Sequence, residues 1–368
     1  MSTERPESGV ADRERRAGGV RDRVLVLPSV ICSHVVAERI ADHVDGCVAA
    51  PHDHGCAQLG DDNERTRKTL VALGAHPNVA GTVVVGLGCE HVQSESVAAT
   101  LENRGVDVRE LTIQGVGGTE MCVERGTELA RSLRSSASVD TSPSTLGELT
   151  VGIVGTDLTA STRSDAAPLV GQFADRVVDA GGRVLVAGTE RIAAHPDAAR
   201  ERLADDNQRD DLEAILEASR RGPSRTPRLR AYATEQSFDT ATHAWGTEPI
   251  DEVLAYGDRL DTDTDVGFVG AASRFEEAAT ALVAAGAQLV VHVTADGIPT
   301  GHPIAPVVKV SAADETLAAL GNDIDVDARD ATVTDLESTV LKIADGERSR
   351  SERHGVTSFA IGRVGPSM

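Results

Sequence analysis

Short, continuous runs of apolar residues, rich in valine and leucine and bounded by glycine or proline, recur through the first hundred residues of the chain. They span residues 24–31, 47–51 and 82–88. Runs that do not alternate between polar and apolar residues are typical of strands buried on both faces, as in a parallel sheet between helices. The sequence therefore predicts an α/β fold of two doubly wound, mostly parallel-sheet (Rossmann-like) domains.

Reactive side chains follow each of these runs. They are Cys32, His52, His54, Cys56, Cys89 and Glu90. Because ligands of open parallel sheets bind beyond the carboxyl ends of the strands, we expect these groups to converge on one sheet edge. Imidazole together with thiolate suits zinc or iron. The alternative is that the histidines are polar loop residues that cap the next helix, and that the cysteines are packing residues.

The chain has 368 residues, more than one ordinary hydrophobic core contains, so we expect two domains. A serine-rich stretch without periodicity, residues 132–147, indicates an interdomain linker. It separates a first α/β domain at 21–131, which carries the Cys/His segment, from a second at 148–368, which ends in a helix and a tail. Residues 1–20 are expected to form a disordered lead-in.

Helical and strand-like patterns alternate along both predicted domains. Apolar residues recur at helical spacing in residues 35–44, 62–73, 92–103, 119–131, 166–180, 198–220, 275–285 and 335–344. Further strands are predicted at 106–113, 149–155, 183–187, 266–270, 288–293 and 306–310. Residues 221–247 are polar and contain proline, which indicates an ordered insertion or a long loop.

The charge balance is strongly acidic, with 58 acidic against 36 basic residues and a net charge of -22. Only three of the basic residues are lysines, a composition typical of salt-adapted, halophilic proteins. A nucleic-acid partner is disfavoured because no basic stripe is present and aromatic residues make up only 2%.

No apolar stretch approaches the ~20 residues of a membrane helix. Five cysteines without an export signal indicate reduced thiols and a cytoplasmic location.

Several further positions are candidates on weaker grounds. The glycine-rich turn Gly117-Gly118-Thr119 lies between a predicted strand and a helix, so its backbone amides could cradle an anion or simply form a tight turn. A proline holds His302 extended, which suits a ligand or an acid/base group as well as an incidental loop residue. The remaining candidates are Asp157, Glu235, His243 and the rare lysine Lys309.

These residues together resemble a known family. The segments at 51–56, 61–62, 67–70, 76–79 and 84–90, with Cys32-Ser33, Gly117-Gly118-Thr119 and the tail from Gly346 to Gly355, are similar to the large catalytic portion of altronate/galactarate dehydratases. They are also similar to the large subunit of sulfolactate sulfo-lyase. The similarity extends from about residue 20 to the C-terminus. The chain is identified as a divergent member of this family.

The resemblance implies a hydro-lyase that removes water from a sugar acid or a related hydroxy acid. Members are commonly iron-dependent, which implies Fe²⁺ here, with Mn²⁺ or Zn²⁺ as alternatives and an iron–sulfur cluster on the three thiolates as a further one. The implied metal ligands are Cys32, His54, Cys56 and Cys89. The implied catalytic residues are His52, His54, Glu90, Asp157 and Lys309. The implied substrate-binding residues are Gly117, Gly118, Thr119, Glu235 and His302.

The sequence departs from the family pattern in two places. Family members often carry a small β-rich N-terminal domain, fused or as a separate subunit, which implies a small β-rich partner here. A homo-oligomer is a further expectation. In the second domain, the family's usual motifs are altered at 154–160, 222–225, 234–237 and 271–273. The alternative hypothesis is therefore a catalytically degenerate homologue that serves as a metal-binding or partner-binding subunit.

Overall fold

Two parallel sheets organise the part of the chain that the computed structural model describes, namely residues 18–363 without 57, 59, 138–143, 222, 223, 225 and 262. The strands of the first sheet are β1 (Arg23–Pro28), β2 (Cys47–Ala49), β3 (Val79–Gly86) and β4 (Val108–Thr112). They lie in the order β2-β1-β3-β4, with every pair parallel. The predicted α/β fold with mostly parallel sheets is confirmed.

The second sheet contains seven strands. They are β5 (Thr150–Gly155), β6 (Arg183–Ala187), β7 (Glu252–Leu254), β8 (Val266–Val269), β9 (Leu289–Val293), β10 (Val307–Ser311) and β11 (Val326–Asp327). Their order is β11-β10-β9-β5-β6-β8-β7, again with every pair parallel. Because all strands of a sheet run the same way, the loops that follow them share one edge.

Helices connect the strands and cover the sheets. They are α1 (His34–Asp42), α2 (Asp61–Gly74), α3 (Ser94–Asn103), α4 (Ile113–Val116), α5 (Thr119–Ser136), α6 (Ala167–Asp179), α7 (Thr189–Ala194), α8 (Pro196–Glu201), α9 (Arg209–Arg220), α10 (Pro227–Glu235), α11 (Phe238–Ala241), α12 (Phe275–Ala284), α13 (Asp314–Leu320), α14 (Val333–Ala344) and α15 (Arg350–His354). Short 3₁₀ turns lie at 31–33, 146–148, 206–208 and 243–245, and a π-helical turn, Thr162–Ala166, leads into α6.

Most strand positions are apolar because both faces of each sheet are covered. In β1, Leu25 and Leu27 belong to one buried cluster, whereas Val24 and Val26 belong to another on the opposite face. Side chains alternate between faces along a strand, so a strand with helices on both sides is expected to be apolar at most positions.

Helix α12 lies in the hydrophobic cluster that the two sheets share, and it is buried over nearly its whole length. It packs against α2 of the first sheet and against β5 of the second. Alanine predominates in α12, because small side chains permit close approach of neighbouring elements. The two halves of the described chain are therefore joined through one apolar layer.

Most sequence-based element assignments were accurate within a few residues, but helices α4, α7, α13 and α15 were not predicted. Other assignments differ as follows. Helix α5 extends five residues past its predicted end, through serines first assigned to a linker. The predicted helix at 198–220 is interrupted between α8 and α9, the insertion contains α10 and α11, and β7 and β11 were not predicted. Residues 1–17 and 138–143, which hold most of the predicted lead-in and part of the linker, lie outside the described residues.

Each sheet has one topological switch point, where consecutive connections diverge to opposite sides. In the first sheet the chain leaves β1 for β2 on one side and later returns to β3 on the other. In the second sheet the switch point lies between β5 and β9. Open α/β sheets bind ligands at such crevices. No helix in the described part of the chain has the length and hydropathy of a membrane span.

Candidate functional site

The loop at residues 52–56, which carries the HDHGC segment, is held between the loops that follow β1 and β3. The amide of Ile31 donates a 2.8 Å hydrogen bond to the His54 carbonyl, and the amide of His91 donates one of 3.3 Å to the Gly55 carbonyl. Gly55 has φ 90°, and a Cβ atom there would clash with the Ser29 carbonyl. Only glycine therefore permits this close approach.

His52 is buried, and protein groups occupy both of its ring nitrogens. Nε2 donates to the Pro28 carbonyl at 2.7 Å, and Nδ1 accepts from the His54 amide at 3.2 Å. Burial lowers the pKa of His52 to about 4, so the ring is neutral near pH 7. In this arrangement His52 ties the 52–56 loop to the end of β1.

His54 links the same loop to the C-terminal tail. Its Nε2 donates a 3.0 Å hydrogen bond to the Ile361 carbonyl, and its Nδ1 accepts one of 2.7 Å from Gln58. Burial lowers the pKa of His54, although Asp53 acts in the opposite direction. Asp53 in turn pairs with Arg363 of the tail.

Glu90 is a buried carboxylate at the switch point of the first sheet. It accepts hydrogen bonds from the Ser29 hydroxyl at 3.0 Å and from the Gly88 amide at 2.6 Å. Burial raises the pKa of Glu90, but the hydrogen bonds from the backbone and from Ser29 outweigh it and give a lowered value. Glu90 therefore joins the loops after β1 and β3 as an ionised group.

The three cysteines at this edge are exposed, unlike Cys122, which is buried in the core. Thiols and imidazoles are donors that suit iron. However, the described residues contain no group of three or more His, Cys, Asp or Glu side chains arranged to hold a metal ion. Both ring nitrogens of His54 are also already hydrogen-bonded. As arranged here, these residues do not fit a metal ion.

The glycine-rich turn lies at the same edge, after β4. Gly117 and Gly118 have φ 98° and 120°, and Thr119 begins α5. Apart from the adjacent residues, no described atom lies within 4 Å of a Cβ built on either glycine. The turn therefore faces open space beside the loop of Cys89, where Gln114 approaches Gly88.

Asp157 follows β5 at the switch point of the second sheet, where it organises the loop that contains it. Its Oδ1 accepts from the Thr159 amide at 3.0 Å and from the Thr162 hydroxyl at 2.6 Å, and its Oδ2 accepts from the Ala295 amide at 2.6 Å. These bonds tie the end of β5 to the end of β9. Asp157 is therefore committed to holding the loop.

Arg191 and Glu190 form a buried ion pair, 2.8 Å long, after β6. The Arg191 guanidinium also donates to the carbonyls of Gly155 and Ala241 and to the Ser273 hydroxyl. Burial lowers the pKa of Arg191, while Glu190 and Asp157 oppose this effect. This network connects the loops after β5, β6 and β8.

His292 lies on β9 beneath the second switch point. Its Nε2 is 3.0 Å from the Thr156 hydroxyl, and its ring stacks on Phe275 with centroids 4.4 Å apart. Nδ1 is buried without a hydrogen-bond partner. Burial lowers the pKa of His292 to about 3, with a smaller contribution from Lys309.

Lys309 is fully buried on β10, and its ammonium group binds backbone carbonyls. Nζ donates to Pro299 at 2.6 Å and to Asp323 at 3.4 Å. Burial lowers the pKa of Lys309, whereas Asp325 and Asp323 raise it. The side chain therefore fastens the long β9–β10 connection.

His302 is brought close to His52 through an aromatic side chain. The Phe359 ring lies 6.5 Å from the His52 ring and 5.7 Å from the His302 ring. His302 is buried, and its Nδ1 accepts from the Ile304 amide. By contrast, Glu235 and His243 are exposed. The structure thus places His302 beside the first-domain loop.

Sequence inspection missed several residues that position these loops: Ser29, Gln58, His76, Thr156, Arg163, Glu190, Arg191, His292 and Phe359. A partial signal was available for His76, because a proline follows it, as one follows His302. His52, His76 and His302 also share one local contact in the structure. In each, ring Nδ1 accepts from the backbone amide two residues later. The remaining contacts connect distant segments, which local pattern does not reveal.

Family models match both halves of the chain. Residues 12–138 match D-galactarate dehydratase/Altronate hydrolase, second domain. Residues 233–367 match D-galactarate/Altronate dehydratase, C-terminal. The chain belongs to the altronate/galactarate dehydratase family. The family resemblance inferred from the sequence is confirmed.

Curated members of the altronate/galactarate dehydratase family align over nearly the full chain. Altronate dehydratase of Escherichia coli (strain K12) is 27% identical over 97% of this chain and 79% of its own length. Altronate dehydratase of Bacillus subtilis (strain 168) is 25% identical over 97% and 77%. Subunit beta of (2R)-sulfolactate sulfo-lyase from Chromohalobacter salexigens is 24% identical over 96% of both chains. These homologues are dehydratases or lyases.

Among solved structures, Escherichia coli ADP-heptose lps heptosyltransferase II covers 88% of this chain and 98% of its own. It has 11% sequence identity and a TM-score of 0.21. That value is too low to relate the two folds.

Proposed function

We propose that this protein is a carbon–oxygen lyase that dehydrates a sugar acid or a related hydroxy acid. Two family models and two altronate dehydratases support this proposal. The observation that carries it is the extent of the match. The two matched regions include the loops after β1 and β3 at the first switch point and the loop after β9 at the second. The loop after β5 lies outside these regions but within the curated alignments, which cover 97% of the chain. The alternative of a degenerate homologue is not favoured by these comparisons.

Dehydration of a 2,3-dihydroxy acid removes the proton at C2 and the hydroxyl at C3, and the resulting enol becomes a 2-oxo acid. The reaction needs a base, an acid for the departing hydroxyl and a cationic or hydrogen-bonding site for the carboxylate. His52, His54, Glu90, Asp157 and Lys309 remain our proposed catalytic group. In the structure, each of these five side chains forms hydrogen bonds within the protein and thereby holds a loop in position.

The iron requirement remains a proposal that rests on the family resemblance and on the donor types at the first sheet edge. Because the described residues hold no ready ligand group, no step above depends on it.

We also propose that the chain works with a small partner subunit. The relative that aligns over the same fraction of both chains, 96%, is itself designated subunit beta. We further propose a cytoplasmic location, in which the exposed thiols would stay reduced.

Anaerobic purification in high salt, followed by assays with altronate, galactarate and (2R)-sulfolactate, tests the function. The wild-type chain is compared with Cys56→Ala and with Cys47→Ser as a matched control away from the loop. We expect a 2-oxo acid from one of the two sugar acids, with activity lost only in Cys56→Ala. Sulfite from sulfolactate would instead indicate a carbon–sulfur lyase, and no turnover with or without a small partner would contradict the proposal.

Metal and acid-labile sulfide are measured on the same samples. Iron without sulfide, lost in Cys56→Ala and kept in Cys47→Ser, would support a mononuclear centre. Sulfide with several irons would identify a cluster. Absence of metal from an active protein would overturn the iron proposal and leave the lyase proposal standing.

A further inference from the structure

The loop at residues 156–163, here called the switch loop, lies where a ligand of the second sheet is expected. It follows β5, the strand at which the sheet reverses its direction of connection. Asp157 holds the switch loop at two points. Its carboxylate accepts hydrogen bonds from the Thr162 hydroxyl within the loop and from the Ala295 amide after β9. The loop is therefore held in a defined shape at the crevice.

Two of the five buried polar side-chain atoms without a hydrogen-bond partner in the described chain lie around this loop. They are Arg163 Nε and His292 Nδ1. Native proteins leave few such atoms, and each one calls for an explanation such as a ligand, an ion or a catalytic role. Their occurrence at the second switch point indicates a site for a polar ligand.

Arg163 presents one edge of its guanidinium that the protein does not satisfy. Its Nη1 donates to the side chain of Gln236, between α10 and α11, whereas Nε has no partner. The Nε–Nη2 edge of a guanidinium is one that binds carboxylates in bidentate fashion. By contrast, Arg191 at the same sheet edge uses Nε, Nη1 and Nη2 for protein acceptors.

Thr156 offers a hydroxyl at the start of the switch loop. It is half-buried, and its Oγ1 is 3.0 Å from His292 Nε2. Nδ1 of His292 has no hydrogen-bond partner in the described chain. Among the described residues, the Thr156 hydroxyl is therefore the hydrogen-bond partner of this buried ring. Stacking on Phe275 holds the ring in place.

We propose that the switch loop binds the carboxylate of the hydroxy acid between the guanidinium of Arg163 and the hydroxyl of Thr156. The proposal rests on the proposed function for the identity of the ligand. The guanidinium supplies a positive charge for an anionic ligand in a chain whose net charge is -22. His292 acts as a positioning residue for Thr156, and Gln236 acts as one for Arg163.

Binding of altronate, galactarate and (2R)-sulfolactate to the full chain by calorimetry tests this site without requiring turnover. Arg163→Gln is compared with Arg163→Lys and with Arg228→Gln, a matched control at an exposed arginine of α10. We expect Arg163→Gln to weaken binding of the preferred acid at least tenfold, Arg163→Lys to weaken it less and Arg228→Gln to leave it unchanged. Wild-type affinity in both Arg163 variants, or equal loss in the control, would overturn the site.

A second pair of variants tests the hydroxyl. We expect Thr156→Ser to retain binding and Thr156→Val, which has a similar volume, to lose it. Inorganic sulfate is the probe for a site that takes any anion, and sulfate binding as tight as that of the acids would overturn the assignment to a hydroxy acid. Binding without dehydration would contradict the proposed function alone, whereas dehydration unaffected by the Arg163 and Thr156 variants would contradict this site alone.

Discussion

His54 and Ile361 are 307 residues apart in sequence, yet the imidazole Nε2 donates a 3.0 Å hydrogen bond to the Ile361 carbonyl. Around this bond, Arg65 donates to Gly362 and Arg363 pairs with Asp53. The tail at 356–363 also bridges to Gly301 in the second half. The C-terminal tail is thus part of the structure that holds the 52–56 loop.

Removal of residues 357–368 is expected to loosen the 52–56 loop. The truncation removes the acceptor of His54 and the buried side chain of Ile361, and loss of such an apolar side chain costs about 2–5 kcal/mol. We expect a lower melting temperature and faster hydrogen exchange at 52–56. Truncation after Arg363 is the control, and equal exchange in both proteins would contradict the role of the tail.

Mutation of Arg191 is expected to be strongly destabilising. Arg191→Met leaves the Glu190 carboxylate buried and unpaired, which costs about 3–5 kcal/mol in the free energy of unfolding. The control is Arg221→Met, which breaks an exposed pair with Glu217 and should leave the free energy of unfolding nearly unchanged. Urea unfolding measures both, and similar losses would contradict the importance of burial.

Acid should destabilise the protein through its buried histidines, of which His76 offers a clean test. Burial, with a smaller effect of Arg259, lowers the pKa of His76 to about 3 from 6.5, and the buried His302 lies nearby. The unfolded chain therefore binds more protons, so this contribution to stability is complete above pH 6.5 and is lost as the pH falls towards 3.

Replacement of His76 by Gln should accordingly flatten the dependence of unfolding free energy on pH between 6 and 4, by about 1.4 kcal/mol per pH unit at most. The exposed His43 provides the matched position for a control His→Gln replacement outside the core. An unchanged slope in His76→Gln would show that this ring is protonated in the folded protein.

Thiol labelling should separate the cysteines into two classes. The exposed Cys32, Cys56 and Cys89 should react with a disulfide reagent within the native protein. Cys122 and Cys47 should react slowly, because burial raises the pKa of each thiol to about 11. Fast labelling of Cys122 would contradict its buried position.

The same reagent tests the iron proposal. If Fe²⁺ binds the exposed thiols, it should protect all three, whereas Mg²⁺, which prefers oxygen ligands, should protect none. Labelling unaffected by Fe²⁺ would show that these thiols do not take up the metal in the isolated chain.

The parallel sheets agree with what the apolar runs alone predicted. Val24–Leu27 and Val83–Val85 are apolar at every position, because helices cover both faces of the first sheet. Hydrophobic pattern is local, so it can be read without knowledge of the fold. Parallel order then places Cys32, Cys56 and Cys89 after strands on one edge, as the sequence predicted.

The roles of the polar residues could not be read in the same way. His52 and Glu90 looked like free catalytic groups in the sequence, yet Pro28 and Ser29 occupy their polar atoms. Arg163 lies just after the altered segment 154–160 and was not a candidate, and only its packing shows a buried guanidinium nitrogen without a partner.

The sequence by itself determined most of the strands, the parallel sheets and the family, because these follow from local hydrophobic periodicity and from short motifs. The tertiary structure alone decided which polar groups are committed and which are available. A hydrogen bond such as that of Asp157 to Ala295 joins segments 138 residues apart. Its formation depends on how the whole chain closes, which no local pattern records.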